Sequence, residues 1–266
     1  MRVTFVSDIH GNVEALARVA AQAELLVVLG DLLDYVDYHE PGNGILGQVF
    51  GADRVLEFTA LRSAHDFVAL RRLNETLWAG VADPLGTLTD VVSQRYRQIA
   101  DALTGPTLLT LGNVDVLEIW QEVAGDDLQC LDGQVVERGG YRFGFVGGGS
   151  ARPGYVVRRT EHVWQPFVRS AEDFTGRLDA LGPVDVLCTH IPPDIDVLRY
   201  DTVPARLEMY GPGILEYIDA RRPPYALFGH VHQPLAARTR RGRTECINVG
   251  HFQRTGRPYV LELAGR

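Results

Sequence analysis

Apolar residues gather into short runs along this chain, and each run gives way to a polar cluster at its C-terminal end. Val3 to Val6, Leu25–Leu29, 108–111, 184–187 and Tyr225–Phe228 are such runs. Short, nearly unbroken apolar stretches of this kind suit strands covered on both faces. Between the first two, Val13, Leu16, Ala17, Ala20 and Ala23 repeat with helical spacing, and Asn12 stands where an N-cap belongs. The chain therefore opens as β-α-β.

The remaining pattern predicts further elements in order. Residues 35–51 are rich in glycine and aromatics and read as loop. Residues 53–79 keep a helical period through Val55, Phe58, Leu61, Ala64, Val68 and Leu73. Ala82-Asp83-Pro84-Leu85-Gly86 reads as a break, and a helix resumes over 89–103. Short helices are expected at 116–123 and 211–221, and one capped by Ser170 over 170–181. Gly139-Gly140 and the Arg240-Arg241-Gly242-Arg243 cluster each sit between two apolar runs, as hairpin turns do. Residues 194–209 read as irregular chain, and 258–263 as a last strand.

The polar clusters carry the chemistry. Asp8-x-His10 sets a carboxylate and an imidazole two residues apart, which in an extended strand puts both on one face. Alone this is a weak signal, since a polar strand end followed by a helix cap explains it equally well. Four more clusters follow apolar runs: Gly30-Asp31, Gly112-Asn113-Val114-Asp115, Thr189-His190 and Gly229-His230-Val231-His232. Open α/β sheets build their sites at the carboxyl ends of strands. Asp8, His10, Asp31, Asn113, His190, His230 and His232 offer nitrogen and oxygen ligands and no thiolate, a set suited to Mn²⁺ or Fe, with Zn²⁺ also compatible. Seven side chains exceed the needs of one tetrahedral ion, so two adjacent divalent ions sharing a carboxylate are expected.

The order D-x-H, G-D, G-N-x-D, H, G-H-x-H resembles the calcineurin-like metallophosphoesterase superfamily, from Asp8 to His232. The resemblance implies a four-layer α/β/β/α sandwich of two mixed sheets, with a dinuclear metal site at the strand C-terminal edge. It implies that Asp8, His10, Asp31 and His232 hold one ion. Asp31, Asn113, His190 and His230 would hold the other, with Asp31 bridging. The implied reaction is hydrolysis of a phosphoester by a metal-bridging hydroxide, with His190 and Asn113 also touching phosphate oxygens. Asp115 matches the family's acid at that position and is assigned a supporting role. The family usually has a histidine where this chain has Val114, so the usual proton donor is missing. Some bacterial phosphodiesterase-like branches share that loss. The expected activity is therefore phosphodiester hydrolysis, with a protein or small-molecule phosphomonoesterase as the alternative. A non-catalytic scaffold, as in the retromer subunit of this fold, is the competing class. His251, soon after a strand end on the site side, is the spare candidate for proton donor.

Asp31 and Asn113 are separated by an excess of roughly 50 residues over one β-α-β crossover. A single domain over 1–266 with a helical insertion at about 38–88 accounts for this. The insertion could be a lid, a homo-oligomer interface or ornament. Asp34 reads as a supporting acid or a solvated one. His39 could lie near the site, and His65 reads as a packing or surface residue. Gly147-Gly148-Gly149-Ser150 lacks the Lys-Ser/Thr of a P-loop, so the glycines are read as letting the chain cross near the site. Arg152, Arg158, Arg159 and His162 lie in a long loop, either as phosphate binders or as surface charge.

Composition narrows the partners. With 266 residues, 45% of them hydrophobic, the chain can bury a large core. A net charge of −8 argues against broad nucleic-acid binding, though a nucleotide or a small-molecule phosphoester remains a fitting substrate. No run of about 20 apolar residues suggests a membrane span. The three cysteines, Cys130, Cys188 and Cys246, show no C-x-x-C spacing and are read as reduced. A strand starting at Arg2 leaves no room for a leader peptide, and the expected compartment is the cytoplasm.

Overall fold

A computed structural model describes residues 1–157, 163–203 and 205–265. The chain opens with β1 (Arg2–Val6), α1 (Val13–Ala20) and β2 (Leu25–Leu29). Four helices follow: α2 (Ile45–Phe50), α3 (Ala52–Ser63), α4 (Phe67–Ala79) and α5 (Pro84–Ala102). Then come β3 (Thr107–Thr110), α6 (Leu117–Val123) and the hairpin of β4 (Gln134–Arg138) and β5 (Tyr141–Val146). The short strands β6 (Gly149–Ser150) and β7 (Val168–Arg169) precede α7 (Ala171–Ala180) and β8 (Val186–Thr189). After α8 (Asp196–Arg199), β9 (Tyr200–Thr202) and β10 (Ala205–Leu207) comes α9 (Ile214–Arg221), which leads into β11 (Tyr225–Phe228). The chain finishes with β12 (Arg238–Arg241), β13 (Thr244–Asn248), α10 (Phe252–Thr255) and β14 (Tyr259–Glu262).

Two mixed sheets result. One runs β14-β1-β2-β3, with only the β14 edge antiparallel. The other runs β12-β13-β11-β8-β5-β4, antiparallel at both edges and parallel between. Side-chain alternation turns the sheets into four layers. Val3 and Phe5 of β1 and Val27 of β2 pack against Phe143, Phe145, Val186, Cys188, Leu227 and Ile247 of the second sheet. Their neighbours Val6, Leu26 and Val28 point the other way, into Leu16, Val92, Tyr96 and Ile99 of α1 and α5. On the far side, Leu187, Ala226 and Phe228 meet Phe174 and Leu178 of α7 and Ile214 and Ile218 of α9. The expected α/β/β/α sandwich is what these residues build. Cys188 and Cys246 are buried, and all three cysteines are unpaired.

Several local expectations need correction. The stretch 35–51 contains α2, which the glycines masked. The period through 53–79 is split into α3 and α4, because His65 takes a left-handed backbone (φ 57°) and Asp66 caps a new helix by accepting from the Ala69 N–H at 2.9 Å. The apparent break at 82–86 is the start of α5. Asp83 accepts from the Gly86 N–H at 2.9 Å, and Pro84 follows at the position where a missing N–H costs nothing. Within 194–209 the chain forms α8 and the antiparallel pair β9–β10. His65 is exposed, as a surface residue would be. The basic cluster lies at the β12–β13 turn, where Arg241 pairs with Asp219 at 2.7 Å.

Phe145 is fully buried between the sheets, whereas Leu56 on the outer face of α3 is exposed. Phe145→Ala is expected to cost about 3–5 kcal/mol, and Leu56→Ala, at an exposed position, less than about 0.5 kcal/mol, by urea denaturation. Equal losses would contradict the assignment of the inter-sheet layer as the main core.

Candidate metal centre

The parallel pairing of β1 with β2 continues past both strands. The Asp8 N–H donates to the Gly30 carbonyl, His10 to Asp31 and Gly11 to Leu32, each at 3.0 Å. The backbone there is not extended. Asp8 (φ 58°), His10 (φ 42°), Asp31 (φ 52°) and His230 (φ 67°) all lie in the left-handed region. The strand alternation invoked for Asp8/His10 is therefore not what turns these side chains inward, nor does alternation do so at His230. Tight turns at the strand exits do so, at roughly 1–2 kcal/mol for each left-handed residue that is not glycine.

Asp115 holds two of these turns together. Its buried carboxylate accepts from the Gly112 N–H at 2.7 Å, from Leu32 at 3.0 Å and from Leu33 at 3.1 Å. The loop after β2 and the loop after β3 are thus joined through one side chain. Burial, together with the nearby Asp31 charge, pushes the Asp115 carboxyl up to about 7. Val114 donates its N–H to Asp31 Oδ1 at 3.0 Å. Asp115 supports the site from behind and does not enter its ligand cluster.

The second sheet supplies the histidines. His190, at the end of β8, is fully buried with Nδ1 2.8 Å from the Leu29 carbonyl. His230 donates its backbone N–H to Asp8 Oδ2 at 2.9 Å. The two sheets touch at Gly229, where a Cβ would lie 1.9 Å from Ser7 Oγ and 2.4 Å from Asp8 Oδ2. Only glycine permits that approach.

The side chains converge in two groups. His232 Nε2 lies 3.2 Å from Asp8 Oδ1 and 3.2 Å from His10 Nε2, and His10 Nε2 is 3.8 Å from Asp8 Oδ1 and 3.9 Å from Asp31 Oδ2. His190 Nε2 is 3.3 Å from Asp31 Oδ1 and 2.9 Å from Asn113 Oδ1. Asp31 stands between the groups. Ligand atoms of Asp8, His10 and Asp31 lie within 4.8 Å of one another, as do those of Asp31, His190 and His230. Two buried atoms in the cluster, Asp8 Oδ1 and His230 Nε2, lack a hydrogen-bond partner. Buried polar atoms are seldom left so. Burial would raise the Asp8 and Asp31 carboxyls, yet the surrounding imidazoles outweigh it and hold both below the usual range. Burial also drives the His230 imidazole down to about 3. An ionised carboxylate set and a proton-free imidazole, aimed at one another with unused lone pairs, fit divalent cations.

A family model for calcineurin-like phosphoesterases matches residues 1–234. The chain belongs to that family. It is a metal-dependent phosphoesterase, and the family implies a dinuclear centre of divalent ions. One solved structure is similar at a TM-score of 0.62 and 18% identity, covering 98% of this chain and 94% of that one. TT1561 of Thermus thermophilus is similar at a TM-score of 0.56 and 14% identity, with 97% of each chain covered. Both likenesses concern the fold. A search of curated proteins finds no match.

Around the phosphoesterase centre, other expected residues fall into place unevenly. His251 stacks on His232 with ring centroids 3.7 Å apart, and burial holds its imidazole down to about 4. His39 lines a cavity beside His10 that also takes in Asp34. Gly147 to Gly149 do carry the chain past the site, since a Cβ on Gly149 would sit 2.7 Å from Asn113 Cβ. Arg152 is exposed, and Arg158, Arg159 and His162 lie outside the described residues. One residue was missed altogether: Glu208, following β10, reaches within 3.8 Å of His230 Nε2. Its only sequence signal was membership of an apparently irregular stretch. Among the described residues no helix is long and apolar enough to cross a membrane.

In the metal-free protein, burial works against the His190 imidazolium, but Asp31 and Asp8 outweigh it and raise the pKa to about 9. His190 is thus charged near neutrality and must lose its proton to bind a cation. Mn²⁺ uptake near pH 7.5 is expected to release roughly one proton that His190→Gln no longer releases. Calorimetric titration in buffers of different ionisation enthalpy measures this. Equal release by both proteins would exclude His190 as the source.

Proposed function

We propose that this phosphoesterase acts on phosphodiesters. The supporting observation is the half-buried Val114 beside Asp31, where an aliphatic side chain offers no proton to a departing alkoxide. His251 does not compensate readily, because burial keeps its imidazole neutral and its Nε2 faces Gln253 Oε1 at 3.3 Å. A diester with a good leaving group needs such a donor least.

The residues divide the work as follows. Asp8, His10, Asp31 and His232 would hold one ion, and Asp31, Asn113, His190 and His230 the other. When bound, such ions neutralise phosphate charge and lower the pKa of coordinated water. Asn113 directs its amide into the same cluster, where its nitrogen can donate to a phosphate oxygen. The Leu29 carbonyl orients the His190 ring, and Leu33 does the same for His10 at 2.7 Å. Such partners fix the tautomer and ring direction of a ligating histidine. Asp115 acts through the backbone N–H groups it holds, with the Tyr96 hydroxyl also donating to it at 3.5 Å. Mn²⁺ and Fe suit this donor set best. The helical hairpin of α3 and α4 is the core of the insertion, which we place at about 38–88, and its shallow packing leaves it available for self-association.

Metal-stripped protein resupplied with Mn²⁺ is expected to hydrolyse bis-nitrophenyl phosphate faster than nitrophenyl phosphate, and Asp31→Asn to lose that activity. A monoesterase preference would refute the diester reading. Val114→His is expected to raise turnover of alkyl phosphomonoesters by ~10²-fold relative to nitrophenyl diesters. An unchanged ratio would show that Val114 does not limit the reaction.

A further inference from the structure

The candidate ligand histidines are not all held alike. His10 and His190 each set Nδ1 against a backbone carbonyl, that of Leu33 at 2.7 Å and that of Leu29 at 2.8 Å. His232 presents Nε2 to Asp8 and His10, and among the described residues no group bonds its Nδ1. Packing does not confine it either. Its side chain is 37% exposed, against 11% for His10 and 0% for His190. A ligating imidazole ordinarily has a partner that fixes its direction. For His232 that partner is another ring.

His251 is buried and lies over the face of His232, with ring centroids 3.7 Å apart and planes 15° from parallel. It also meets the His10 ring edge-on at 6.0 Å. Two side chains hold it there. Asn248, at the end of β13, donates its amide to the Gly229 and Val231 carbonyls at 3.2 and 2.9 Å and accepts from the Gly250 N–H at 2.8 Å. The loops that carry His232 and His251 are thus pinned to each other. Gln253, on α10, sets Oε1 3.3 Å from His251 Nε2 and donates Nε2 to the His10 carbonyl at 3.2 Å. Its backbone N–H reaches the Asp8 carbonyl at 2.9 Å. The first turn of α10 so joins the exit of β1 to the exit of β11. Nitrogens of His10, His232 and His251 lie within 4.8 Å of one another. That closeness does not make His251 a ligand of the ion that His232 would bind, because a ligated ion lies in the plane of each imidazole. Two planes so nearly parallel, a stacking distance apart, meet far beyond the ~2 Å of a metal–nitrogen bond.

We propose that His251 is a positioning residue, whose ring, stacked on His232, aims His232 Nε2 at the ion shared with Asp8 and His10. The proposal rests on the assignment of His232 as a ligand of that ion. Stacked rings attract at the distance seen here. A stack covers the face of the imidazole and leaves its in-plane nitrogen free. His251 contributes a flat surface and not a lone pair, so a ring without nitrogen serves in its place and an aliphatic chain of similar bulk does not. The effect falls on one ion. His190 and His230, assigned to the other, contact each other and make no ring or hydrogen-bond contact with His251 among the described residues.

The test is calorimetric titration of the metal-stripped whole chain with Mn²⁺. His232→Ala marks the binding event that belongs to its ion. His251→Leu is expected to weaken that event about 10-fold and to leave the other unchanged, and His251→Phe to restore it. The visible spectrum of Co²⁺-loaded protein gives a second readout, expected to change in the leucine variant and to return to the wild-type form with phenylalanine. His251→Ala serves where the leucine variant does not fold. Unchanged affinity in the leucine variant, or a phenylalanine variant as weak as leucine, would overturn the proposal. Wild-type affinity for both ions in His232→Ala would remove the ligand assignment and the proposal with it. A weakened His232→Ala beside an unchanged His251→Leu would sink the proposal alone.

Discussion

Backbone pairing between the loops after β1 and β2 is the constraint on which the centre depends. Three N–H groups, from Asp8, His10 and Gly11, reach across to Gly30, Asp31 and Leu32 after the strands themselves have ended. This pairing holds two acidic side chains close together in a place buried from water. Asp115 extends it sideways to the loop after β3, and the Asp8 carboxylate extends it to the second sheet through the His230 N–H. Two sheets that share only an apolar interface are thereby tied at one edge by polar contacts. Apolar packing alone sets no register between them.

The arrangement costs free energy in two ways, and both bear on function. Four candidate ligand residues occupy left-handed backbone, and two carboxylates are buried within reach of each other. The first cost is local strain, and the second is desolvation with like-charge repulsion. Three imidazoles, His10, His190 and His232, outweigh the second at the carboxylates, yet two buried atoms keep unused lone pairs. The sandwich can sustain the expense because the layers on either side are continuous: Phe143, Phe145 and Phe5 within, Tyr96 and Trp120 without. A cation would remove the electrostatic part and leave the strain, which keeps the ligands aimed.

Much of this was legible in the sequence for a physical reason. Runs such as Leu25–Leu29 are apolar on both sides because both sides are covered, and each ends where the chain meets the site. Asp8, His10, Asp31, Asn113, His190, His230 and His232 could be picked out by that punctuation, supported by the family resemblance. The reason given for the Asp8/His10 pairing was wrong, because composition does not reveal that the strand stops at Val6. Helix α2 and the break between α3 and α4 were hidden for a related reason. Glycines at 42, 44 and 47 suggested loop where tertiary packing of Ile45 and Leu46 imposes helix, and an unbroken hydrophobic period concealed the turn at His65. Glu208 and the Asp34 cavity could not be read at all, since both arise from segments distant in sequence that meet only on folding.

The cavity and the α3–α4 hairpin belong to the same long connection between β2 and β3, and that shared origin has a consequence. Several residues of 34–43 line the cavity; Ile45 of α2 joins the layer of α1 and α5, while Leu46 of α2 packs with Val55 and Phe58 of α3 in a core much smaller than the layers on either side of the first sheet. Arg62 of α3 donates to the Tyr38 hydroxyl at 2.6 Å, so the hairpin also touches the cavity loop directly. Few buried apolar contacts mean low local stability, and such segments open more readily than the strands beneath them. The candidate metal ligands sit at the strand ends, and much of the cavity lining sits on the softer part. Chemistry common to a family can in this way stay with the sandwich, while the choice of substrate is left to a connection that tolerates change.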